Sequence, residues 1–124
     1  MKYACLVYGD GNLVDPISEE EQDALIVDSV TYQDELARKG QLVLGQPLEP
    51  AHMATTLRRT EGKLSMTDGP YAETKEQLGG IFIIEARDLN EAIRIASGHP
   101  AGRWDTIEVR AMREMPTLDD LKMG

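Results

Sequence analysis

The chain has 124 residues, 41% of them apolar and 28% charged, with a formal net charge of −9. That size and composition fit one folded domain with a real core and exclude a disordered chain. The acidic balance argues against direct nucleic-acid binding, which needs a clustered basic surface, and Arg58-Arg59 is the one arginine doublet.

No apolar run approaches the ~18 residues of a membrane span, and no signal-peptide pattern precedes the first strand, so no membrane association and a cytoplasmic location are expected. The single cysteine, Cys5, cannot form an internal disulfide and lies among apolar neighbours, where a small buried hydrophobe is expected rather than a reactive thiol. His52 and His99 stand without ligand spacing around them, so no metal is expected.

In chain order, Tyr3–Tyr8 reads as a strand stopped by Gly9-Asp10-Gly11. Ser18-Glu19-Glu20-Glu21, with Pro16 just before it, is a capping box opening a helix that Gly40 ends. Leu25, Ile26, Val30, Leu36 and Ala37 form its apolar arc, opposite Asp23, Asp28, Thr31, Asp34 and Glu35. Gln41–Gln46 is a second strand, ended by Pro47 and Pro50. Met53–Arg59 and Lys63–Thr67 flank Thr60-Glu61-Gly62 as a hairpin, and a polar stretch, Asp68–Leu78, follows. Gly79–Ala86 reads as a buried strand. Asp88 caps a second helix with Glu91 completing its box, Leu89, Ala92, Ile93 and Ala96 inside, and Gly98 and Pro100 at its end. Thr106–Met112 alternates as a half-exposed strand, and a polar tail closes the chain.

The order predicts an α+β domain, ferredoxin-like β-α-β…β-α-β with an inserted hairpin, over residues 1–115, with 116–124 as a C-terminal tail. The two continuously apolar strands, Tyr3–Tyr8 and Gly79–Ala86, take the central places and Thr106–Met112 an edge. Both faces of the central strands are apolar, yet both helices fall on one side. The hairpin is expected to cover part of the other side, and a second copy, packed sheet to sheet as a homodimer, the remainder.

The most informative stretch is Thr67-Asp68-Gly69-Pro70-Tyr71-Ala72-Glu73-Thr74-Lys75-Glu76-Gln77-Leu78-Gly79-Gly80. Asp68-Gly69-Pro70 is strong turn chemistry, and the segment presents Glu73, Thr74, Lys75 and Glu76 before a double glycine that permits close backbone approach. Residue chemistry alone allows an exposed turn or a binding loop. On the second reading the catalytic candidates are Asp68 and Glu73 for proton transfer, with Lys75 steadying a small anionic ligand, and Gly69, Pro70, Tyr71 and Thr74 as ligand-binding candidates. Ser29 and Gln33 interrupt the apolar arc of the first helix, where they either pack closely and bond to backbone or line a polar pocket. For His99 a helix-end role as an imidazolium on terminal carbonyls is expected. Arg103 and Trp104 form either an anion contact or an arginine–aromatic surface pair, and Asp10 and Asp15 read as solubilising charge.

This run resembles the signature of the DGPF-motif subgroup of the YCII-related family, with Tyr71 where that subgroup has phenylalanine. Lys2-Tyr3 through Asp10, Gly40 with Leu42-Val43, Ala54–Arg58 and Ile107–Arg110 resemble the family's other strands. The resemblance implies a dimeric α-β barrel of ferredoxin-like halves. It also implies a genomic link of the subgroup to sigma factors, and so a ligand-sensing or regulatory module as an alternative to an enzyme. The broader family is similar to small dimeric isomerases and dehydrochlorinases of muconate-type compounds, which suggests cofactor-independent isomerase or lyase chemistry. In those relatives a histidine on the first helix and an aspartate are the proposed acid–base pair. The corresponding positions here hold Ser29 and, near the aspartate, Arg38, so that pair does not carry over.

Overall fold

The central strand, β1 (Lys2–Gly9), is apolar on both sides because both of its edges and one face are covered. In the computed structural model it is followed by α1 (Glu19–Arg38), β2 (Leu42–Pro47), β3 (Thr55–Thr60), β4 (Lys63–Asp68), β5 (Gln77–Glu85), α2 (Leu89–Gly98), β6 (Thr106–Ala111) and α3 (Leu118–Lys122). The structure describes residues 1–10 and 18–122. Gly11, Asp15 and Pro16, read above as turn, surface charge and helix approach, lie outside them.

One sheet has the order β2-β5-β1-β6 with every neighbour antiparallel, and β3 and β4 form a separate hairpin. This α+β arrangement is compatible with a ferredoxin-like fold. β1 and β5 are central and β6 is an edge, as their apolar patterns predict. Two short 3-10 turns, Ala51–Met53 and Pro100–Arg103, lie beside the ends of the sheet. The first occupies what the sequence suggested was the start of the hairpin strand.

The core lies on one face of the sheet. Tyr3, Cys5, Val7, Phe82 and Ile84 meet Leu36 of α1 and Ala92, Ile95 and Ala96 of α2. Burial raises the Cys5 thiol to about 11, so it is an inert core hydrophobe. Both cap signals operate. The Glu21 N–H donates to Ser18 Oγ at 3.1 Å, and the Glu91 N–H to Asp88 Oδ1 at 2.9 Å, while the Glu91 carboxylate accepts from the Arg87 N–H.

α1 is turned from the arc its aliphatic residues suggested. Ile26, Val27 and Val30 are exposed, and the face toward the sheet carries Leu25, Tyr32 and Leu36 with the polar Asp28, Ser29 and Gln33. Polar partners supplied by remote parts of the chain explain the turn. The Tyr32 hydroxyl donates to the Ile95 carbonyl at 2.6 Å, Gln33 meets His99, and Arg103 pairs with Asp28 at 2.8 Å. The last contact gives Arg103 a structural partner.

The other face of the sheet carries Ala4, Leu6, Tyr8, Ile81 and Ile83, all half-buried. The hairpin does not provide the cover expected of it within one chain. Leu57, Leu64 and Met66 share one of its faces, with Leu57 opposite Met66, and all three are more than half exposed. The tail, expected to be merely polar, forms α3, capped by Thr117, with Leu118 and Leu121 exposed.

Candidate functional site

Antiparallel order brings the ends of β1 and β2 and the starts of β5 and β6 to one end of the sheet. A cleft of about 570 Å³ opens there, within the usual range for small-molecule sites. Its walls are Gly9 and Asp10 after β1, Leu48–His52 after β2, Pro70, Glu73 and Thr74 from the β4–β5 loop, Gln77–Gly79 at the start of β5, and Asp105 just before β6.

Backbone and side-chain ties fix these walls. The Leu48 N–H donates to the Gly79 carbonyl at 2.9 Å, and the Ala51–Met53 turn places His52 on the rim. The Gln77 amide donates to the carbonyls of Ala72 and Thr74, both at 2.9 Å, and the Thr74 hydroxyl donates to the Glu76 carbonyl at 2.6 Å. The loop that carries Glu73 is thereby clamped to β5. Gly79 is the extra residue of a bulge, since Val7 faces Gly80 and Tyr8 faces Leu78. A side chain at position 79 or 80 would meet only ordinary contacts, so the double glycine serves the bulge and not a close approach.

Asp105 is the most perturbed group facing the cleft. The Asp105 N–H bonds to the Ala101 carbonyl at 3.0 Å, and its carboxyl lies against Gly9, where a Cβ would collide with it. Burial, and then the neighbouring Glu76 charge, raise its pKa above the ordinary carboxylate value. Glu76 in turn accepts from the Thr106 hydroxyl at 3.3 Å.

The residues singled out in the sequence divide into four groups. Pro70, Glu73 and Thr74 line the cleft. Asp68, Gly69 and Tyr71 belong to the hairpin base: Asp68 pairs across to Thr55, and Gly69, at φ +105°, donates its N–H to Ala54 and accepts from Thr56. Tyr71 is exposed beneath the Arg58 guanidinium, 5.3 Å from its ring centre. Lys75 is exposed and stands outside the cleft lining. Ser29 and Gln33 lie on the helix side of the sheet, away from the cleft.

His99 differs from its expected role. It is buried, stacked on Phe82 at 4.4 Å, and its Nδ1 accepts the Ala101 N–H, capping a turn as an acceptor rather than donating to terminal carbonyls. With Nδ1 so used, the proton of the neutral ring sits on Nε2, which requires the Gln33 amide 3.1 Å away to turn its oxygen toward the ring as the acceptor. Burial pushes the imidazole pKa down and keeps it neutral.

Sequence reasoning missed His52 and Asp105 as residues that share the cleft with Glu73. The signal available was topological: each lies just outside a strand end that an antiparallel order gathers at one end of the sheet. Among the described residues there is no cluster of metal-ligand type and no helix long and apolar enough to cross a membrane.

The family model for the YCII-related domain matches residues 1–116. An uncharacterized protein of Rhizobium meliloti (strain 1021) is 38% identical over 96 residues, a span of 77% of this chain and 77% of that protein. With the match running from the first strand past the last, the chain belongs to the YCII-related family.

Proposed function

We propose that the cleft is the site of a cofactor-independent small-molecule isomerase or lyase that works by proton transfer. One observation carries this reading: a carboxyl whose pKa is raised, Asp105, shares the cleft with an imidazole, His52. A raised pKa makes the ionised Asp105 a stronger base than an exposed aspartate, so Asp105 takes the proton and His52 supplies the one returned. A proton taken from a substrate carbon at one wall and returned at the other moves a double bond; given instead to a leaving group, it completes an elimination. Glu73, from the sequence motif, assists at the same wall. The Asp68-Gly69-Pro70-Tyr71 turn supports membership of the DGPF-motif subgroup.

The working unit is a homodimer joined through the helix-free sheet face. The half-buried Leu6, Ile81 and Ile83 support this, as does the hairpin with its apolar side uncovered, since a two-stranded ribbon alone is marginal in water.

The test is proton NMR in D2O with a defined library of carbonyl and unsaturated compounds bearing acidic C–H bonds. Deuterium incorporation or a shifted double bond is expected with the native protein and is lost in Asp105→Asn. Compounds that bind in the cleft with no exchange in any of them would refute the enzyme reading in favour of a ligand sensor.

A further inference from the structure

The cleft wall has a consistent sign. Asp10, Glu49, Glu73 and Asp105 line it, and neither lysine nor arginine does. Three of the arginines are engaged elsewhere: Arg103 with Asp28, Arg110 with Glu108, and Arg58 over the Tyr71 ring. Among the described residues, no ion pair involves Glu49, Glu73 or Asp105. Besides the carboxylates the wall carries the apolar Leu48, Pro50, Ala51, Pro70 and Leu78 together with the polar His52, Thr74 and Gln77. A wall that combines carboxylates with apolar side chains matches a short hydrocarbon stem that carries positive charge. An anion of the same length would gain the stem contacts and lose them to repulsion by the carboxylates.

We propose that this cleft takes an organic cation, a primary amine or guanidinium on a short aliphatic stem. The inference rests on the reading of the cleft as the small-molecule site. It differs from the anionic ligand suggested by Lys75, whose side chain stands outside the lining. A cation beside Asp105 would favour its ionised form against the burial, and then the Glu76 charge, that raise its pKa.

The experiment is a backbone-amide NMR titration of the full chain in ~0.15 M salt, where long-range attraction to a protein of net charge −9 is screened. The probes are 1,4-diaminobutane, agmatine and adipate, which share a four-methylene stem, with 1,4-butanediol as the uncharged control. Saturable shifts at Gly9, Gly79 and Asp105 are expected with the two amines alone, weakened about tenfold or more by Glu73→Gln. Saturable binding of adipate at the same amides, with none by the amines, would overturn the cation proposal while leaving the cleft as the site. Silence from all four probes would overturn it too, and deuterium exchange would then judge the enzyme reading separately. Amine shifts unchanged by Glu73→Gln would reduce the effect to general attraction and also overturn it.

Discussion

Replacing His99 by phenylalanine separates a packing role from a polar one. The ring is 6% exposed, stacked on Phe82 at 4.4 Å and met edge-on by Tyr32 at 5.7 Å, and phenylalanine keeps a flat aromatic ring there, slightly larger than the imidazole. What it removes is the acceptor for the Ala101 N–H and the partner of the Gln33 amide, both at 3.1 Å. A buried donor left unpaired costs about 1–3 kcal/mol, and the half-buried Gln33 adds less because water reaches it. At pH 8 the variant should therefore unfold in urea with about 1–3 kcal/mol less stability than the native protein. The native protein should then lose ground as the medium is acidified. Burial lowers the imidazole pKa in the fold, so the unfolded chain binds the proton first. Its contribution is full above the unfolded value of about 6.5 and is lost as pH falls through that value, at no more than about 1.4 kcal/mol per pH unit. It levels off once the folded ring also titrates. The variant lacks this slope, so the gap measured at pH 8 should narrow at pH 6 and narrow further at pH 5. A gap that stays constant or widens would refute the neutral-acceptor assignment.

Asp105→Asn should raise the urea midpoint at pH 7 while abolishing deuterium exchange. A raised folded pKa means that ionised Asp105 opposes folding, a penalty that grows as pH rises above its unfolded value near 3.9; a lower midpoint would contradict this. Gly69→Ala forces a side chain onto φ +105° and should cost about 1–3 kcal/mol in the same assay, and an unchanged midpoint would show that the turn can reshape. Light scattering at micromolar concentration should give twice the monomer mass, and Ile81→Asp should give a monomer or an unfolded chain, since an unpaired buried charge costs several kcal/mol. A native monomer would refute the dimer.

The sheet was legible in the sequence because each central strand reports its own burial. Tyr3–Tyr8 and Ile81–Ile84 have no polar position to give to water, and the alternating Thr106–Ala111 has one at every other residue. The orientation of α1 was not legible. Its inward face is set by Tyr32, Gln33 and Asp28, whose partners Ile95, His99 and Arg103 lie more than sixty residues away. The site was half legible. Asp68 to Lys75 reads as one surface in sequence, but the turn at Gly69 leaves Asp68 and Tyr71 with the hairpin while Pro70, Glu73 and Thr74 enter the cleft. His52 and Asp105 have no local signature at all, because only strand pairing brings them to Glu73.

The position of β1 has a consequence for the order of synthesis. It is the first strand made, yet its two neighbours are the last two, with Cys5 flanked by Phe82 on one side and Val109 on the other. Until β5 leaves the ribosome, β1 has no permanent neighbour on either edge, and both of its apolar faces are bare. Pairing across so much chain is slow compared with closing the β3–β4 hairpin, which needs only local residues. The nascent chain therefore carries a sticky, unpaired strand through most of its production, and chains stopped short of β5 should be substrates for chaperones and proteases rather than partly working fragments.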